Sequence, residues 1–155
     1  MKIALLLAAV VFGADLFQEP SSVHSLYGIS RVPVIIGGVG AEAQADGLTL
    51  PFLQEECEKR LALGGVPSEG DGEPFLFVWV DARLVNGKTQ YAYTVVAELR
   101  QRVAIPRSKV SGVLAATWSK SASGMAPRDD VRRVKTAVAA LVDDFVAAYR
   151  SANPR

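Results

Sequence analysis

Asn86-Gly87 stands between two β-rich runs, Pro74 to Val85 and Lys88 to Ile105, and constrains the fold of this chain more than any other feature. Both residues accept the positive φ that a two-residue type I′ turn demands, so the runs are predicted to fold back on each other as a hairpin. With Asn86 and Gly87 as the loop, Val85 faces Lys88. That register sets Val80 opposite Tyr93, Val78 opposite Val95 and Leu76 opposite Ala97 on one face. The other face pairs Trp79 with Thr94, Phe77 with Val96 and Phe75 with Glu98, and farther along its second strand it carries Arg100 and Arg102.

Other elements arrange themselves around this hairpin. Leu26 to Val39 reads as a strand interrupted by Pro33, which cannot donate to a ladder and so points to an edge or a bulge. Gly37-Gly38-Val39-Gly40 reads as the turn that ends it. Leu50, Leu53, Cys57 and Leu61 recur at helical spacing behind Thr49 as cap and Pro51 in the first turn, and Gly64-Gly65 stops the helix. Val110 to Lys120 reads as a further strand, with Leu114, Ala116 and Trp118 on one side and Val113, Ala115 and Thr117 on the other. A loop of small residues, Ser119 to Ala126, follows. From about Arg128 to Ala152, Val131, Val134, Val138, Leu141, Phe145 and Tyr149 make one apolar stripe at spacings of three and four, so the chain closes on an amphipathic helix. The order β-α-β-β-β-α predicts an α+β two-layer sandwich: a mainly antiparallel four-stranded sheet packed against two helices on the face holding Leu76, Val78, Val80, Tyr93 and Val95.

The 155 residues suit one domain with a real core. Their charges are unevenly spread: residues 40–81 hold nine acids against two bases, and residues 82–142 eleven bases against three acids. Such a chain can self-associate head to tail through its opposite halves or fold those halves together. The one cysteine, Cys57, cannot form an internal disulfide and falls on the apolar side of its predicted helix, where it reads as a small buried hydrophobe.

Behind Lys2, the ten residues Ile3 to Phe12 are apolar. This is half of the roughly 20 needed to span a bilayer, and it fits a secretory signal. Residues 1–13 are therefore expected to be a signal peptide, 14–25 a flexible leader and 26–155 a single domain. The address that follows is exported, periplasmic or extracellular, with no stable membrane span after processing.

Groups for chemistry are sparse. The single histidine, His24, lies in the leader, and one His with one distant Cys cannot supply the usual three or four zinc ligands. Glu55, Glu56, Glu58, Asp143 and Asp144 are spaced as solvated helix faces. Gly37 to Gly40 lacks both a phosphate-loop lysine and a G-x-G-x-x-G pattern. Arg100, Arg102, Arg107 and Lys109 form a basic stretch, but no nucleic-acid fold signature accompanies them. By contrast, Phe75, Phe77 and Trp79 alternate on the hairpin face opposite the one the helices need. Left open, such an apolar patch marks a partner site; the alternative is that the Leu26 to Val39 segment, the leader or one of the helices covers it.

Tyr91-Ala92-Tyr93, Ala116-Thr117-Trp118-Ser119, Leu141-Val142-Asp143-Asp144-Phe145 and Ala152-Asn153-Pro154 resemble segments of small exported bacterial proteins of unknown function. In element order, residues 26–152 also resemble the α+β envelope modules of the TolB N-terminal domain and the penicillin-binding-protein activator lipoproteins, without the acylated cysteine of the latter. The resemblance implies an accessory binding role and carries no residues across. The expectation is a non-catalytic exported module that engages a protein partner of the envelope through Phe75, Phe77, Trp79, Thr94, Val96, Arg100 and Arg102, without cofactor, metal or nucleic acid. The alternatives are a carrier of a small apolar or anionic ligand between sheet and helices, and an enzyme of unknown class.

Overall fold

The computed structural model describes residues 22–108 and 110–154; the anticipated signal peptide and most of the leader lie outside them. Strands β1 (Val34–Gly37), β2 (Phe75–Val85), β3 (Gln90–Ile105) and β4 (Val110–Pro127) form one sheet in chain order. The β2–β3 and β3–β4 pairs are antiparallel, whereas β1 runs parallel to β2. A parallel pair needs a crossover, and here it is made by a short helix α1 (Ala41–Ala45) and the longer α2 (Leu50–Gly64). Helix α3 (Val134–Ala152) follows β4. The α+β sandwich is thus present, with a third, one-turn helix that has no periodicity to announce it.

Alternation places the layers. Leu76, Val78 and Val80 of β2 and Tyr91, Val95, Ala97 and Leu99 of β3 are buried beneath Leu53, Cys57 and Leu61 of α2 and Val134, Val138, Leu141 and Phe145 of α3. Thr49 caps α2 by accepting the Phe52 N–H at 3.4 Å, and Gly65 ends it with φ 72°. At Gly64 the two helices come so close that a Cβ would stand 2.5 Å from Val146 Cγ1. Cys57 is fully buried, and loss of water pushes its thiol up to about 12, assisted by the charges of Glu56 and Glu58.

Several local expectations are corrected. The Asn86-Gly87 turn forms, with φ of 50° and 68° and the Lys88 N–H donating to Val85 O at 3.0 Å. Lys88 then also turns left-handed, at φ 69°, so pairing resumes only at Val85↔Gln90. The ladder slips by two residues from the expected one: Trp79 faces Val96, Phe77 faces Glu98 and Phe75 faces Arg100. An even slip changes every partner but turns no side chain over, because the pleat has period two.

Leu26 to Val39 yields only the four-residue β1. Ser22–Leu26, including the last residues assigned to the leader, is a 3-10 turn, and Val32 donates its N–H to Pro67 O at 2.7 Å. The sheet begins just past Pro33 and β1 is an edge strand. Ser119 to Ala126, expected as a loop, continues β4. Tertiary pairing overrides weak local propensity here: Thr94 and Ser123 share a hydroxyl hydrogen bond at 3.0 Å, and the Tyr93 ring lies on Gly124, where a Cβ would be 2.6 Å from its hydroxyl. A bulge at Thr117 separates Leu99↔Trp118 from Arg100↔Ala116. It turns Trp118 inward while Ala116 and Leu114 stay with the open face, breaking the simple alternation expected there.

Arg128–Arg133 is 3-10 rather than α-helical, with a break at Asp130 (φ −132°), so the last helix starts at Val134. The oppositely charged halves meet inside one chain, through Asp46–Arg128 at 2.8 Å, Glu73–Arg102 at 3.0 Å and Glu56–Lys135 at 3.4 Å. Among the described residues, no helix is long and apolar enough to cross a membrane.

Candidate functional site: the open face of the sheet

With both long helices on one side, the odd residues of β2 and the even residues of β3 point away from the core. No described helix or strand lies over them. Trp79 is 45 % exposed and Ile35, which pairs with Phe77 from β1, 44 %. Phe75, Phe77, Val96 and Arg100 are half-buried, and Thr94 and Arg102 are exposed.

The aromatic rings owe their position to two glycines. A Cβ at Gly37 would stand 3.2 Å from Phe77 Cζ and 3.3 Å from Trp79 Cε3; one at Gly38 would stand 2.6 Å from Trp79 Cε2. The indole therefore lies flat on the bare backbone of β1's end, where a side chain would lift it. Phe77 and Trp79 are 6.2 Å apart between centroids and tilted by 35°. On the other side of Phe77, the Arg100 guanidinium sits 3.9 Å from the ring centroid, reaching diagonally across the ladder, and is held there by Glu98 Oε2 at 2.8 Å.

Phe77, Trp79, Val96, Glu98 and Arg100 line a shallow depression of about 350 Å³. The structure thus gathers four of the seven residues expected at the site and adds Glu98. Phe75 stands at the end of β2 opposite Arg100, Thr94 is turned to Ser123, and Arg102 lies past the end of β2, bonded to Glu73 and to the Gly112 carbonyl. The expected basic stretch is divided accordingly: Arg107 sits in a turn at the far tip, and Lys109 is outside the described residues. Gly37 and Gly38 are readable in the sequence only as a turn, because nothing local says that a tryptophan some forty residues later will rest on them.

A depression of about 440 Å³ lies farther along β2 and β3, lined by Asp81, Arg83, Val85, Ala92, Tyr93 and Thr94; two still larger ones lie elsewhere. One of about 560 Å³ is lined by Ser30, Gly65, Tyr149, Arg150 and Asn153, whose polar groups already bind their own chain: Tyr149 donates to Ile29 O, Arg150 to Gly64 O and Asn153 to Leu26 O. The other, about 590 Å³, borders Asp46, Lys88, Thr89 and Arg128. Here the buried Tyr91 donates its hydroxyl to Asp46 Oδ2 at 2.6 Å, and Arg128 Nε donates to the same oxygen at 2.8 Å. The Tyr91 hydroxyl first and the guanidinium second hold the Asp46 carboxyl below the usual carboxylate range; burial and the carboxylate push Tyr91 up to about 12. This cluster straps the end of α1 to β3 and to the turn after β4.

Because folding lowers the Asp46 pKa, the native state binds fewer protons there than the unfolded chain. Its contribution is complete above about pH 4 and is lost as the pH falls through the native value. Tyr91→Phe is expected to lower the melting temperature at pH 7 by roughly 3 to 6 °C, from the loss of one charge-assisted hydrogen bond. The gap between the melting curves of the two proteins should close as the pH is lowered from about 4 through the native Asp46 pKa. A gap that stays constant across that range would remove the carboxylate from the explanation.

Among the described residues, no three of His, Cys, Asp and Glu come together in a way that could hold a metal ion. The fold and its open face define an α+β sandwich with an aromatic depression on the bare side of its sheet. No protein-family model matches the chain, and no curated protein shows significant similarity to it.

Proposed function

We propose that this chain is a non-catalytic binding module of the exported kind, which docks a protein partner of the cell envelope on the open face of its sheet. The half-exposed Trp79, set against Phe77 and Gly38, with Arg100 held by Glu98 over the Phe77 ring, carries this reading. A rigid indole beside an apolar floor is the kind of anchor around which binding energy concentrates. Charges on this face pair with each other, Glu98 with Arg100 and Asp81 with Arg83, so it suits an amphipathic protein surface better than a polyanion.

Export rests on the Ile3 to Phe12 run and on the resemblance in element order to envelope modules. The carrier reading has less support, since fully buried side chains such as Leu53, Leu61, Leu76, Val78 and Phe145 occupy the space between the layers.

A partner recovered from envelope extract and titrated in purified form is expected to bind Trp79→Ala about 30-fold more weakly than the wild type, the loss of one central aromatic anchor. Equal affinity for both proteins would take the aromatic face out of consideration.

A further inference from the structure

The two edges of this sheet differ. On β1 the exposed edge is four residues long, follows Pro33 and ends in Gly37-Gly38. Pro33 O accepts from Leu76 N–H on the β2 side, so Val34 O faces outward, and it is taken by Gln54 Nε2 at 3.1 Å. Short length, a flanking proline and a covering side chain are the means by which an edge is kept from pairing. The opposite edge, β4, is 18 residues long and carries one charge, Lys120, before its terminal Pro127. Among the described residues, side-chain bonds reach its backbone carbonyls at Thr117, from Ser25, and at Gly112, from Arg102. Among the described residues, its edge from Ser119 to Ala126 has none of the safeguards that β1 has.

From this asymmetry we infer that β4 pairs with β4 of a second copy, antiparallel about a two-fold axis near Ser121, to give a continuous eight-stranded sheet. The choice of occupant follows from the edges themselves. Pairing β4 to β1 of another copy would propagate without end, and β1 is closed to it; pairing β4 to itself is isologous and closes at two. A two-fold at Ser121 sets Ser119 against Ser123 of the second copy, extending the hydroxyl contact that Thr94 and Ser123 already make. It sets Lys120 against Ala122 and not against its own copy. Lys120 is moreover offset by Asp144 at 3.8 Å, and the chain's formal charge is only +1, so two copies meet with little repulsion.

Both aromatic depressions would then lie on one side of the joined sheet. Pairing of this kind needs no envelope partner, and its readout is the mass of the protein alone.

Light scattering behind a sizing column, on the purified protein at about 1 to 100 µM, is expected to give twice the monomer mass. Ser121→Lys with Ser123→Lys places two further charges on the solvent face of the edge and should weaken the dimer about 100-fold, leaving circular dichroism unchanged. A monomeric wild type, or a folded double-lysine variant that stays dimeric, would overturn the pairing. Ser121→Cys gives a second, independent reading: mild oxidation should yield a covalent dimer, while Cys57 stays buried and silent. A dimer in which the introduced thiol never cross-links would exclude the two-fold at this position. Trp79→Ala should leave the mass unchanged, which separates a failure here from a failure of the docking face.

Discussion

Phe145→Ala should lower the unfolding free energy by about 4 kcal/mol, as befits a large aromatic side chain truncated in a packed core. Phe145 is fully buried in the apolar stripe of α3, and Trp118 meets it edge to face with centroids 5.1 Å apart. Removing the ring takes away its transfer energy, leaves a cavity and deprives Trp118 of its partner; edge-to-face contacts add about 0.5 to 1.5 kcal/mol to area burial. Trp118 faces inward through the bulge at Thr117, so this single contact ties helix, strand and bulge together. Urea titration followed by circular dichroism measures the loss directly. A loss below about 1.5 kcal/mol would mean that the layers are held elsewhere, since Phe→Ala in packed cores costs about 3 to 5 kcal/mol.

Gly38→Ala is the second large effect, and it connects the fold to the face. Gly38 has φ 83°, a conformation that costs an L-residue about 1 to 2 kcal/mol. Its new methyl would fall 2.6 Å from the Trp79 ring and 2.9 Å from Val80 O, and overpacking of this sort adds about 1 to 3 kcal/mol. A destabilisation of about 2 to 4 kcal/mol is expected, together with a displaced indole. Iodide quenching reads the displacement, because Trp118 is buried and the accessible emission belongs to Trp79. Gly37→Ala, with ordinary φ and nearest approaches of 3.2 to 3.3 Å, should cost distinctly less. Similar losses at both positions would show that the ring is not what Gly38 accommodates.

Local patterns in the chain disclose most of the architecture. Period-two alternation tells the two faces of β2 and β3 apart, capping residues bound α2, and the stripe from Val131 to Tyr149 marks the side that α3 buries. What escapes is set by contacts distant in sequence. Lysine rarely adopts positive φ, so nothing at Lys88 warns that the loop will take in two further residues. Ser119 to Ala126 has the composition of a loop and becomes strand only because β3 is there to pair with it. The parallel pairing of β1 with β2 places Gly37 beside Trp79, and no window of neighbouring residues contains both. The aromatic half of the depression can be read from alternation alone; its floor of glycine and its Arg100–Glu98 brace require the register.

The single thiol of this chain has a wider consequence. Thiol chemistry proceeds through the thiolate, which burial suppresses at Cys57, and no cross-link contributes to the fold. Oxidants and reductants thus find no sulfur pair in the folded interior to make or break. The architecture is equally attainable in a glutathione-rich interior and in an oxidising exterior, so a journey between the two would neither complete it nor undo it.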